Sequence, residues 1–169
     1  NELTTASGKS RLPIILGGGL GGLVVAAVLG FMIYSSICPC ERTPGGFLFG
    51  ERPEQPVSDW RFANQVELCQ IQIWAGIRPH SINLNCMASE GELFLSCARC
   101  EGKAWSTAAL VNPNTRVRMN GVVYPVTVQR VVDTITIDRA WRAREGKLGR
   151  PTAVPRQEGW WSFQVRSRT

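Results

Sequence analysis

Residues 12–37 run without a single charge, LPIILGGGLGGLVVAAVLGFMIYSSI. At about 1.5 Å per helical residue the stretch exceeds the ~30 Å hydrocarbon core of a bilayer. A cleaved signal peptide could use Lys9 and Arg11 as its basic flank. Its apolar part, however, is normally about 7 to 15 residues long and ends in a small-x-small cleavage pattern, and no such pattern appears before Cys38. The sequence therefore predicts one spanning helix over residues 12–37, preceded by a tail, residues 1–11. Lys9 and Arg11 adjoin the helix, whereas Glu41 and Glu51 balance Arg42 and Arg52 beyond it. The excess of basic residues on the short side places the tail in the cytoplasm. The expected location is a bacterial inner (cytoplasmic) membrane crossed once, with the following domain periplasmic.

Within this run Gly17, Gly18, Gly19, Gly21 and Gly22 crowd the first half. Each glycine costs a helix about 1 kcal/mol relative to alanine. Close packing offsets that cost in lipid, and the pairs Gly17/Gly21 and Gly18/Gly22 have the small-xxx-small spacing that lets a second helix approach. Other transmembrane subunits are the expected partners of this face.

The rest of the chain has a different character. Overall, hydrophobic residues make up 44% and charged residues 19%, the latter below the roughly 25% of an average soluble protein. Seventeen Gly and ten Pro argue against a long coiled coil, and six Trp with six Phe argue against disorder throughout. Residues 38–59 are rich in Pro and Gly and read as a linker. Beyond them VELCQIQIW, SINLNCM and GELFLSC alternate apolar with polar residues, the period of a half-buried strand. TRVRMNGVVYPVTVQRVV breaks at Asn120-Gly121, the strongest short hairpin signal. TITIDRAWRAR reads as a strand continuing into a short helix, and WWSFQV as a closing strand. The fold class predicted for residues 60–169 is mainly β: a small antiparallel barrel of six or seven strands with one or two short helices.

The order of these strands, with the SEGEL turn, LFLSCARCEGKAW and the LVNPNTRVRMNG element, resembles the pyridoxamine-phosphate-oxidase-like split β-barrel superfamily. The likeness runs over about residues 60–168 and is most telling at GKAWSTAALVNPNTRVR. It implies a split barrel, and it implies an FMN or deazaflavin site where the phosphate-binding cations are kept. Family oxidases carry an Arg and, five residues later, a Lys on the strand before the turn, then a Ser-Arg-Lys cluster in the turn. An ungapped reading puts His80 and Asn85 at the strand positions and Cys100, Glu101 and Gly102 in the turn, with Lys103 displaced by one. A phosphate needs charge-assisted donors and is repelled by a neighbouring carboxylate. The expectation is therefore no cofactor, with Arg78, His80, Lys103 and Trp105 as the residues that would hold a flavin or deazaflavin if one binds.

The remaining candidates are cysteines and charges. Cys38, Cys40, Cys69, Cys86, Cys97 and Cys100 form an even set. Cys97 and Cys100 have CxxC spacing, suited to a disulfide or a redox pair, while other pairings and free thiols stay open. Cys38 and Cys40 are spaced CxC, so no metal site is expected, and Glu101 after Cys100 excludes the haem-attachment pattern. His80 is the single histidine, and a satisfied edge residue is favoured over a catalytic base. Asp133 and Asp138 would face opposite sides of a strand and make no carboxylate pair.

Between Arg139 and the C-terminus, eight basic residues stand against Glu145 and Glu158, an excess equal to the whole chain's net +6. Arg139, Arg142, Arg144, Arg150, Trp160 and Trp161 are the expected contacts to anionic lipid or an acidic protein surface; no nucleic acid is expected beside a membrane-tethered domain. The function expected from the whole is a non-catalytic, single-span accessory subunit of a larger membrane complex, respiratory or photosynthetic in type. The competing expectation is a membrane-anchored flavin or deazaflavin oxidoreductase acting on a quinone-like acceptor.

Overall fold

The computed structural model describes the backbone of residues 12–37, 39 and 43–169, and side chains within that range from residue 21 onward. The chain divides into two units, one ending at Tyr34 and one running from Ser35 to Thr169. The tail, Cys38 and Cys40 lie outside the described residues, as do the side chains of Leu12 to Leu20, including the first part of the glycine cluster.

In the first unit, helix α1 (Leu12–Ser36) is 25 residues long. From residue 21 to residue 33 its side chains are exposed on every side, including Leu23 at 70% and Ile33 at 65%. A helix that is apolar all round has no water-facing stripe, the pattern of a helix buried in something larger than itself. Among the described residues, no helix is long and apolar enough to cross a membrane; those of α1 with described side chains are residues 21–36 alone.

In the second unit, six antiparallel strands close a barrel in the order β1-β2-β3-β6-β5-β4. They are β1 (Cys69–Ala75), β2 (Arg78–Ser89), β3 (Glu92–Cys97), β4 (Asn114–Met119), β5 (Val122–Arg130) and β6 (Trp161–Ser167). The turns follow from local chemistry. Glu90-Gly91 and Asn120-Gly121 all have positive φ, the two-residue hairpin geometry that suits strand twist and favours Asn and Gly. Alternation then sends Ile71, Ile73, Leu84, Leu93, Leu95, Val117, Val126 and Phe163 inward, each at most 7% exposed. A short 3₁₀ turn (Arg61–Gln65) contributes Ala63 to this core, and α2 (Ala104–Val111) contributes Trp105 and Ala109.

A second cluster forms outside the barrel. Met87 and Phe94 point outward from β2 and β3 and are covered by Ala140 and Trp141 of α3 (Thr134–Lys147), with Val131 and Trp160. The expected strand at TITID is therefore helix throughout, capped by Asp133, whose carboxylate accepts from the Thr136 N–H at 2.8 Å. A β-branched run favours strand only weakly, and the cap with the Ile137, Ala140/Trp141, Glu145 spacing overrides it.

Part of the segment read as a linker is held to the barrel. Gly45 bridges to Ser81, and Glu51 bridges to Val122. The Leu48 N–H donates to Gln72 Oε1 at 2.8 Å. Residues 43–51 thus form a strap over the outer face of β1 and β2, and at Gly50 a Cβ would run into the Gly121 carbonyl.

Candidate functional site

One recess holding interconnected polar groups lies beside β1 and β4 and is lined by Gln70, Asn83 and Arg118 among others. Gln70 Nε2 donates to Asn83 Oδ1 at 3.0 Å, and Arg118 donates to Gln70 Oε1 and, at 3.0 Å, to the Phe49 carbonyl. These groups satisfy one another and fasten the strap, so the recess reads as structural. A second groove, of about 560 Å³, runs between the β1–β2 turn and α2, lined by Trp74, Gly76, Gly102, Ala104, Ala108 and Val111. Its mainly apolar walls, bounded by cationic residues on adjoining elements, make it the candidate site.

Arg78 opens β2 just past this turn, and Lys103 is the residue before α2. Lys103 Nζ donates to the Ala98 carbonyl at 2.8 Å and remains exposed. His80 pairs with Ile73 in the same row as Ile71↔Ile82, which places it on the inward face of β2 near the barrel mouth. Burial, and secondarily the Arg78 guanidinium, hold its imidazole below the ordinary 6.5. It is therefore neutral at pH 7. Asn85 pairs with Ser96 on the outward face, so the two positions corresponding to the oxidases' strand cations diverge across the strand. Trp105 does not line the groove: it is 3% exposed and packs on Phe163 at 5.1 Å between ring centroids.

Cys100 is fully buried and bonded to Cys97, with Cα atoms 5.5 Å apart. The turn thus carries no hydroxyl at this point, and Glu101 is exposed beside it. Residues at the family's phosphate positions therefore do not suit a flavin phosphate: one neutral imidazole, one amide on the other face, one cystine and one carboxylate. A second disulfide, Cys69–Cys86, which sequence spacing did not single out, joins β1 to β2 within the core with Cα atoms 5.7 Å apart.

The basic segment divides on folding. Arg139 is paired with Glu90 and Glu92, and Arg144 with the buried Glu145. Trp160 is 5% exposed and packs on Trp141 at 5.1 Å, so it belongs to the core beneath α3 rather than to a surface. Trp161 is half-buried under the Arg130 guanidinium, 3.7 Å from its ring centroid. Arg142 and Arg150 are exposed. Lys147, counted by sequence among the surface charges, turns inward and donates to the carbonyls of Ala63, Val66 and Cys86. The helical reading of the sequence stopped at Arg144, and the three acceptors come from distant segments, so no sequence signal turned Lys147 inward. Among the described residues no group of His, Cys, Asp and Glu is placed to hold a metal ion.

No protein-family model matches the chain, and no curated protein matches it. Solved structures do resemble the barrel. A conserved hypothetical protein of Mycobacterium tuberculosis aligns with a TM-score of 0.51 at 11% identity, over 64% of this chain and 77% of that one. A Listeria innocua protein provisionally described as a pyridoxamine 5′-phosphate oxidase aligns with a TM-score of 0.52 at 10% identity, over 64% and 89%. Identities this low carry the fold alone: the antiparallel barrel shares the fold of these two structures.

Proposed function

We propose that this chain is a membrane-anchored split-barrel module that works by binding within a membrane assembly, not by turning over a flavin. The observation that carries the reading is the chemistry of the residues at the resembling family's phosphate positions: the half-buried imidazole of His80, the amide of Asn85, the disulfide-bonded Cys100 and the carboxylate of Glu101. At neutral pH none of them supplies a charged donor to offset the desolvation of a phosphate. Helix α1 supports the anchor: its 25 residues span about 37 Å at 1.5 Å per residue, and the full uncharged run includes the glycine pairs suited to a neighbouring helix. Two disulfides suit an oxidising compartment, which agrees with a barrel on the far side of the membrane from Lys9 and Arg11. An assembly of respiratory or photosynthetic type accommodates a small single-span subunit of this kind.

The apolar groove beside Lys103 and Arg78 favours a second reading, an anchored flavin or deazaflavin oxidoreductase with a lipid-soluble, quinone-like acceptor. One preparation separates the two. The full chain is extracted in mild detergent through a C-terminal tag, and the eluted peak is scanned for visible flavin absorption and analysed by mass spectrometry. The expected result is co-purifying membrane subunits with no flavin. A lone chain carrying stoichiometric flavin that is lost in Lys103→Ala would overturn the proposal in favour of the enzyme.

A further inference from the structure

The last residues of helix α1, Ser35 and Ser36, belong to the barrel unit. The Phe47 N–H donates to the Ser35 carbonyl at 2.7 Å, and the Gly46 N–H donates to the Ile37 carbonyl at 2.8 Å. These bonds satisfy carbonyls that a helix C-terminus would otherwise leave open. At Gly46 a Cβ would collide with the Ser35 backbone, so only glycine lets the strap come this close. Wherever the rest of α1 points, its end is fixed at Phe47.

Phe47 is also the middle of an aromatic row. Its ring lies 6.4 Å from Phe49 and 5.7 Å from Trp74. Phe49 is 59% exposed, Trp74 43%, and Ile77, in the β1–β2 turn just beyond Trp74, 93%. Across the groove from Trp74, Val111 is 84% exposed. Large apolar side chains gathered at one place on a soluble face mark an interaction surface. Arg78 follows Ile77 directly and is exposed, and Arg118 is anchored to the Phe49 carbonyl, so the apolar row is flanked by positive charge.

We infer that this row is a membrane seat: Phe47, Phe49, Trp74 and Ile77 rest in the headgroup and acyl boundary of the bilayer from which α1 emerges, with Arg78 facing anionic headgroups. The inference rests on the reading of α1 as a spanning helix. Given that reading, Ser35 lies at the interface, and residues hydrogen-bonded to its carbonyl or stacked on Phe47 lie there too. Aromatic rings with apolar bodies collect at this depth, and basic side chains beside them meet the negative surface potential.

The test uses the full chain with Cys38→Ser and Cys40→Ser, leaving the four disulfide cysteines intact, reconstituted into phosphatidylcholine and phosphatidylglycerol vesicles. A nitroxide is placed at Ile77→Cys, and in a second sample at Ile135→Cys, 81% exposed at the start of α3. Both sites are exposed enough that substitution leaves the barrel folded, which circular dichroism checks. The expected result is that the label at position 77 collides more with dissolved oxygen than with a water-soluble nickel chelate, with the preference reversed at position 135. If the protein floats with the vesicles and resists alkaline extraction but position 77 behaves like position 135, the anchor stands and the seat is wrong. A label at 77 shielded from both colliders would replace the bilayer with a protein partner. Protein that fails to float would overturn the spanning reading, and the seat with it.

Discussion

His80 shows how little a residue's identity says until its strand face is known. Its imidazole lies on the inward row of β2, and burial first, Arg78 second, lower its pKa from 6.5. Between the lowered midpoint and 6.5 the unfolded chain takes up a proton that the folded chain refuses. Stability attributable to His80 is thus complete above 6.5 and is lost as pH falls through that window. Because it is the single histidine, one imidazole C–H resonance reports it in detergent-solubilised full-length protein. The midpoint is expected below 6.5, and Arg78→Ala is expected to raise it only part of the way, because burial remains. Complete recovery to 6.5 in that variant would show that charge, not burial, sets it. The sequence singled out His80 at the entrance of a strand, but not the strand face on which it lies. Lys147 teaches the complementary lesson, since three carbonyls from separate segments turn a counted surface charge into an interior strut.

Elements fixed by local chemistry were the readable ones. Period-two alternation and the Asn120-Gly121 turn delimit five hairpin-forming strands within a few residues of where they lie, and WWSFQV closes the barrel as β6. What failed was α3, because Thr134, Ile135 and Thr136 are β-branched while the apolar stripe that buries the helix, Ile137, Ala140 and Trp141, starts only after them. The signal that would have found it is Asp133, an N-cap preceding that stripe. With Asp133→Ala the Thr136 N–H loses its acceptor, and α3 should fray from its first turn: a lower thermal midpoint and faster amide exchange at residues 134–137, both restored by Asp133→Asn, which can still accept the bond. Unchanged exchange in the alanine variant would mean that packing of Trp141 against Trp160 alone defines where α3 begins. The strap was missed for a different reason: its bonds to Ser81 and Gly121 are backbone, its bond to Gln72 runs to a side-chain oxygen, all three are long-range, and a Pro and Gly rich stretch looks the same whether docked or free.

For the whole barrel the weak seam is where the first and last parts of the sheet meet, since β1 and β4 pair over only Gln70↔Arg118 to Gln72↔Arg116. The strap crosses near this seam, joining β1 through Gln72 to the β4–β5 turn through Glu51. Cys69–Cys86 pins β1 from its other edge to β2, closing a sequence separation of 17, whereas Cys97–Cys100 closes only 3. If disulfides stabilise mainly by restricting the unfolded chain, the longer closure is worth roughly 3 kcal/mol and the shorter about half as much. Removing the β1–β2 bridge should also loosen the strand that holds both the strap and Trp74. The expectation is that Cys69→Ala/Cys86→Ala lowers the denaturation midpoint in detergent further than Cys97→Ala/Cys100→Ala does, and that only the first pair speeds amide exchange across β1 and β4. Equal losses, with exchange at the seam unaltered, would show that the bridge does not brace this closure, and the strap would then have to hold it alone.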